Sequence, residues 1–153
     1  MAKSVINPAD LEMLHQRLRS VRPDSPRRWG KMNSHQMICH LADSLRVAMD
    51  VKQVSPVPGR PKKVLKLLAL WLPLPWPQGY PTRPEIDQVA GGGTPPADFE
   101  RDREELQALM NRFARCPLDF RFGTHPGFGE MSENEWMRWA YLHTDHHLRQ
   151  FQA

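Results

Sequence analysis

His147 follows His143 by four positions. On a helix that spacing places two imidazoles on one face, one turn and about 6 Å apart along the axis. Both ring nitrogens can then reach a single divalent ion at about 2.0–2.1 Å. Taken alone the pair says little, because the chain has seven histidines and most such pairs are solvated or simply hydrogen-bonded. Two features raise its weight. Trp136, Trp139 and Ala140 share the face and mark it as buried, where neutral imidazoles need partners for their ring nitrogens. His40 offers a third nitrogen from the buried side of another helical stretch, and metal sites in helical bundles are assembled in this way from facing helices. Without the pair, His40 would read as a satisfied core histidine.

The other histidines carry less. His15 and His35 read as surface or helix-end residues, and His146 sits at the margin of the His143–His147 stripe. His125, within Thr124-His125-Pro126-Gly127-Phe128-Gly129, falls in a turn and reads as structural, with a place in a pocket wall as the alternative. The sequence has no GxSxG elbow, no phosphate-binding glycine loop and no pair of carboxylates at a telling spacing.

Four helices must position the three histidines. Asn7 as N-cap and Pro8 at the first helical position open one near residues 8–20, with Leu11, Leu14 and Leu18 as its buried stripe. Asn33 or Ser34 caps a second near 34–50, whose apolar arc of Met37, Leu41, Ser44, Leu45 and Ala48 carries His40 toward one edge. A third near 97–115 buries Phe99, Leu106, Leu109, Met110 and Phe113. Ser132-Glu133-Asn134-Glu135 is a capping box for the fourth, near 132–151, with Asp145 on its far side. Ten of the fifteen prolines fall between Pro56 and Pro96, so that stretch is a long crossover with room for one short helix at about Lys62–Leu72.

At 153 residues, 40% hydrophobic and 25% charged, the chain is expected to form one domain over residues 1–153. Its net charge of +4 is mild and its basic residues are scattered, apart from Arg27-Arg28 and the group Arg60, Lys62 and Lys63, so no nucleic-acid partner is expected. Cys39 and Cys116 form no CxxC, and polar sequence follows Met1, which together suggest the cytoplasm. Val64–Trp76 is greasy but too short to span a bilayer. It has three readings, a cover for the bundle's own core, a dimer interface or a membrane-surface contact. The first two are favoured, so no membrane partner is expected.

The histidine in Met37-Ile38-Cys39-His40-Leu41-Ala42-Asp43, together with His143-Thr144-Asp145-His146-His147-Leu148-Arg149-Gln150, resembles the DinB/YfiT-like superfamily of metal-binding helical proteins. The segment from His125-Pro126-Gly127-Phe128-Gly129 through Ser132 and Glu135-Trp136 to Gln150-Phe151 is similar to one bacterial branch of it. The resemblance implies an all-α, four-helix bundle running up-down-down-up, with its long connection between helices two and three. It implies a divalent metal, nickel or zinc, on His40, His143 and His147, with positions left open for water. Relatives of this kind include transferases and isomerases that use low-molecular-weight thiols, and homodimers are common among them. The chain departs from the pattern at Leu148-Arg149-Gln150, where a glycine is usual. The expected function is therefore metal-dependent chemistry on a small-molecule substrate, either thiol-dependent transfer or hydrolysis. The alternative is a non-catalytic binding protein whose ion ties helix two to helix four. Imidazoles on three different surfaces would defeat both.

Overall fold

Asn7 accepts the backbone N–H of Ala9 and Pro8 occupies the first turn, which together open α1 (Pro8–Ser20). The computed structural model describes residues 2–59 and 61–153; Arg60, grouped above with Lys62 and Lys63, lies outside the described residues. A capping box between Asn33 and Gln36 starts α2 (Ser34–Ala48), and one between Ser132 and Glu135 starts α5 (Glu133–Gln150). Asp98 caps α4 (Phe99–Phe113) by accepting from Arg101 N–H. Three of these helices are shorter at their ends than the sequence suggests. Asp98, Ser132 and Phe151 are flanking cap residues with non-helical backbones, and beyond α2 Asp50 turns left-handed at φ 58. The short helix in the crossover is α3 (Lys63–Trp71).

The chain is all-helical, with five α-helices, a 3-10 turn at Pro84–Ile86 and no strand among the described residues. The main packing is α2 on α4 and α1 on α5; α2 also meets α5, and α3 lies against α5. The core joins Leu14 and Leu18 to Met37, Ile38, Leu106 and Trp136, all buried. Twelve residues of α2 are buried, so this helix runs through the middle with neighbours on nearly every side instead of offering one apolar arc. His15 is not a surface residue as its sequence context suggested. It is buried, with Nε2 2.9 Å from Asn111 Oδ1 on α4. No helix of the described residues is long and apolar enough to cross a membrane.

The crossover is held to the helices by polar ties. Asp43 on α2 is fully buried; its carboxylate accepts from Thr94 N–H at 2.8 Å and Thr94 Oγ1 at 2.7 Å, and meets Arg46 and Lys52 at 3.0 Å each. Burial alone would raise its pKa, but the Thr94 bonds and the Lys52 charge outweigh that and hold it below the usual carboxylate value. Nearer α3, Arg138 Nε donates to the Leu70 carbonyl, and Trp76 Nε1 folds back to donate to the Ala69 carbonyl. Val64–Trp76 does not do the work of a core cover. Leu70 is its one buried large side chain, Trp76 is partly buried, and most of the other leucines face outward.

Removing the Asp43 carboxylate strands Thr94 N–H and two cations that are themselves only about a fifth exposed. Asp43→Ala is expected to cost about 2–3 kcal/mol and to lower the melting temperature by roughly 5–10 °C, read by calorimetry at neutral pH. With a folded pKa below the ordinary 3.8, the carboxylate contributes this stability above pH ~4 and loses it as pH falls through the folded value.

Candidate metal centre

His40 enters from the middle of α2 and is buried. Its Nδ1 lies 3.2 Å from the carbonyl of Ile86, in the 3-10 turn. A carbonyl can only accept, so Nδ1 carries the hydrogen and Nε2 is left with a free lone pair. On α5, His147 Nδ1 lies 2.9 Å from Gln150 Oε1. The Gln150 amide nitrogen donates to the Trp29 carbonyl at 2.8 Å, which leaves its oxygen to accept from His147. Nε2 of His147 is thereby freed as well. This is the outer-shell pattern that fixes the tautomer and aim of metal-binding imidazoles. His143 is positioned by stacking, its ring centroid 4.8 Å from that of Trp139 and tilted by only 19°.

The three imidazoles converge. Each offers a ring nitrogen, and these atoms all lie within 4.8 Å of one another. Around an ion with bonds of about 2.0–2.1 Å, neighbouring nitrogens would sit about 3.3 Å apart, inside that limit. Burial holds all three below the ordinary histidine pKa; for His143 the charges of His147 and His40 lower it further, and for His147 that of His40 does. At neutral pH the rings are therefore uncharged, with lone pairs ready for a cation. Among the described residues no carboxylate or thiol joins this cluster.

The cluster opens onto a cavity of about 880 Å³ whose walls include Trp29, Trp76, Ile86, Phe128 and Trp139. His146 stands in the same wall, its ring 5.5 Å from Trp29 and 6.3 Å from Trp76. A second group, His35, Cys39 and Asp102, also has ligand atoms within reach of each other. Its chemistry differs. His35 Nε2 is already 2.8 Å from Asp102 Oδ2, a direct hydrogen-bonded contact and too close for two ligands spread around an ion. The Cys39 thiol is pushed up to about 12, by burial and then by the Asp102 charge. This group is a polar tie between α2 and α4.

A family model described as the DinB superfamily matches residues 8–151. The chain belongs to the DinB superfamily. No curated protein and no solved structure gives a significant match. In this DinB-superfamily chain the His125–Gly129 segment is a tight turn. His125 Nδ1 accepts from the backbone N–H groups of Gly127 and Phe128, its ring stacks on Phe128 at 4.3 Å, and His125 and Gly129 pair through their backbones. The same ring also lines the cavity, so both sequence readings of His125 hold. What the sequence reading missed is the outer layer: Ile86, Trp29, and Gly30. Gly30 has φ +78, and a Cβ there would fall 2.7 Å from the Gln150 amide nitrogen. The left-handed backbone favours glycine here, and a side chain would push the Gln150 amide off the Trp29 carbonyl.

Burial lowers the pKa of His125 to about 4. The unfolded chain takes up this proton below pH ~6.5, whereas the folded protein resists until pH falls near 4. Stability is thus complete above the unfolded value and is lost as pH falls through that window. Urea unfolding is expected to show a loss on the order of 2 kcal/mol from this group between pH 7.5 and 5. His125→Asn, which keeps an acceptor near the two amides, should remove that share of the slope.

Proposed function

We propose that the chain binds one divalent metal ion, nickel or zinc, through His40, His143 and His147, and that it is a metal-dependent enzyme acting on a small molecule. The single observation that carries this reading is the convergence of three uncharged imidazoles, two of them with their tautomers fixed by outer partners, at the wall of a large cavity. The donor set fits the group, since three neutral imidazoles suit zinc, nickel, iron or copper, and the family resemblance favours nickel and zinc among these. The bundle's up-down-down-up course belongs to the same proposal.

Three protein ligands beside an open space are the arrangement of a catalytic centre; a structural zinc site is closed by four. His40, His143 and His147 would hold the ion, which would supply Lewis-acid activation of water for hydrolysis or of a thiol for transfer. The protein's own part is to aim the imidazoles through Ile86 and Gln150, to hold His143 flat against Trp139, and to line the adjoining cavity with aromatic side chains. Those walls suit a substrate with a substantial apolar body. Thiol-dependent transfer is preferred over hydrolysis on the family resemblance alone. The rival reading is a structural ion that ties α2 to α5. Against it, these helices already meet through the buried apolar core.

Elemental analysis of protein purified without an affinity tag is expected to find close to one nickel or zinc per chain. A content near zero, with no uptake from excess zinc or nickel, would overturn the proposal. Gln150→Leu should weaken zinc binding about 10–100-fold, as loss of an outer partner does, measured by competition with a chelating dye. His40→Ala should keep its helical circular dichroism yet lose metal-dependent turnover in a screen of thiol-plus-electrophile pairs, esters, amides and lactones. A large fall in melting temperature without turnover from any substrate would favour the structural ion instead.

A further inference from the structure

α3 is oriented unusually for a surface helix, because part of its polar side faces the protein and much of its apolar side faces out. Lys66 turns inward to pair with Glu135 at 2.8 Å, and Leu70 is buried one turn further on. Val64, Leu67 and Trp71 remain 71, 53 and 48% exposed, and Leu68, Leu72 and Leu74 are exposed beside them. A contiguous apolar patch of this kind marks a contact surface.

Charge identifies what the surface meets. Residues 51–84 contain six lysines and arginines and no aspartate or glutamate; of these, Lys52 and Lys66 are paired with Asp43 and Glu135 outside the segment. Of these cations, Lys62 and Lys63 are exposed at the start of α3. A second copy docked through residues 51–84 would bring no aspartate or glutamate from that segment to pair Lys62 and Lys63. A surface of anionic lipid headgroups over acyl chains complements both features, with lysines at headgroup level and Leu67 and Trp71 inserted below. The face is also continuous with the cavity, since Leu65, Leu68, Leu74 and Tyr80, all exposed, are among its lining residues. We infer that α3 and the adjoining Leu72–Leu74 segment form a docking face for an anionic membrane surface, with the cavity mouth held against the lipid. The sequence alone ranked this reading last of three; the outward leucines and the exposed Lys62 and Lys63 beside them reverse that order.

Flotation of the full chain with vesicles of phosphatidylglycerol and phosphatidylcholine in equal parts tests it. The protein is expected to float with these vesicles and not with pure phosphatidylcholine, and to be released as salt is raised to about 0.5 M. Lys63→Ala should lower the partition coefficient roughly fivefold. The double variant Leu67→Glu/Trp71→Glu should abolish flotation while leaving the circular dichroism and zinc titration unchanged, since neither side chain touches the metal cluster. Failure of the wild type to float would overturn the inference. So would sedimentation showing a dimer that the double variant dissociates while vesicles bind nothing, which would give the face to a second copy. Either result leaves the metal measurements standing.

Discussion

The crossover between α2 and α4 has ten prolines in or beside it and little regular structure of its own, so its path must be dictated from outside. Asp43 does much of this. It stands three residues after His40 on α2, and its buried carboxylate receives Thr94 through both backbone and side chain. Gln88, also buried, donates to the Thr94 carbonyl, which extends the tie back toward the 3-10 turn. With the far end of the crossover pinned, Ile86 arrives over α2 and its carbonyl meets His40. A charge that would be costly to bury alone is compensated here by two cations and two hydrogen bonds, and the arrangement gives an irregular segment one course over the bundle.

The second helix of the histidine cluster is organised by a different device. The Trp29-Gly30 loop reaches α5 closely enough for the Trp29 carbonyl to take the Gln150 amide, and Gln150 then orients His147. Each half of the cluster is thus aimed by a segment outside its own helix core. Packing alone would leave imidazole rings free to flip; hydrogen bonds of fixed polarity do not.

Much of this was legible in the sequence because it rests on local rules. The caps at Asn7, Asn33 and Ser132 are short-range chemistry, and helical spacing placed His143 and His147 together. The convergence of His40 with them was readable from the buried stripes. What escaped depended on contacts distant in sequence. His15 looked exposed because its partner, Asn111, is 96 residues away. The bond from Ile86 to His40 spans an irregular segment for which no periodicity exists. Val64–Trp76 was greasy enough to suggest a core cover, and composition could not show that Lys66 would turn inward to Glu135 and leave the leucines outside.

The aromatic walls have an optical consequence. The chain has five tryptophans, and Trp29, Trp76, Trp136 and Trp139 all line the cavity. Intrinsic emission therefore comes mainly from indoles around one chamber, with Trp139 lying flat on a ring of the histidine cluster. The fifth, Trp71, stands alone on the outer side of α3. Without any added dye, the protein carries a spectroscopic reporter of its interior, and replacing a single exposed residue with phenylalanine would isolate that signal from the surface.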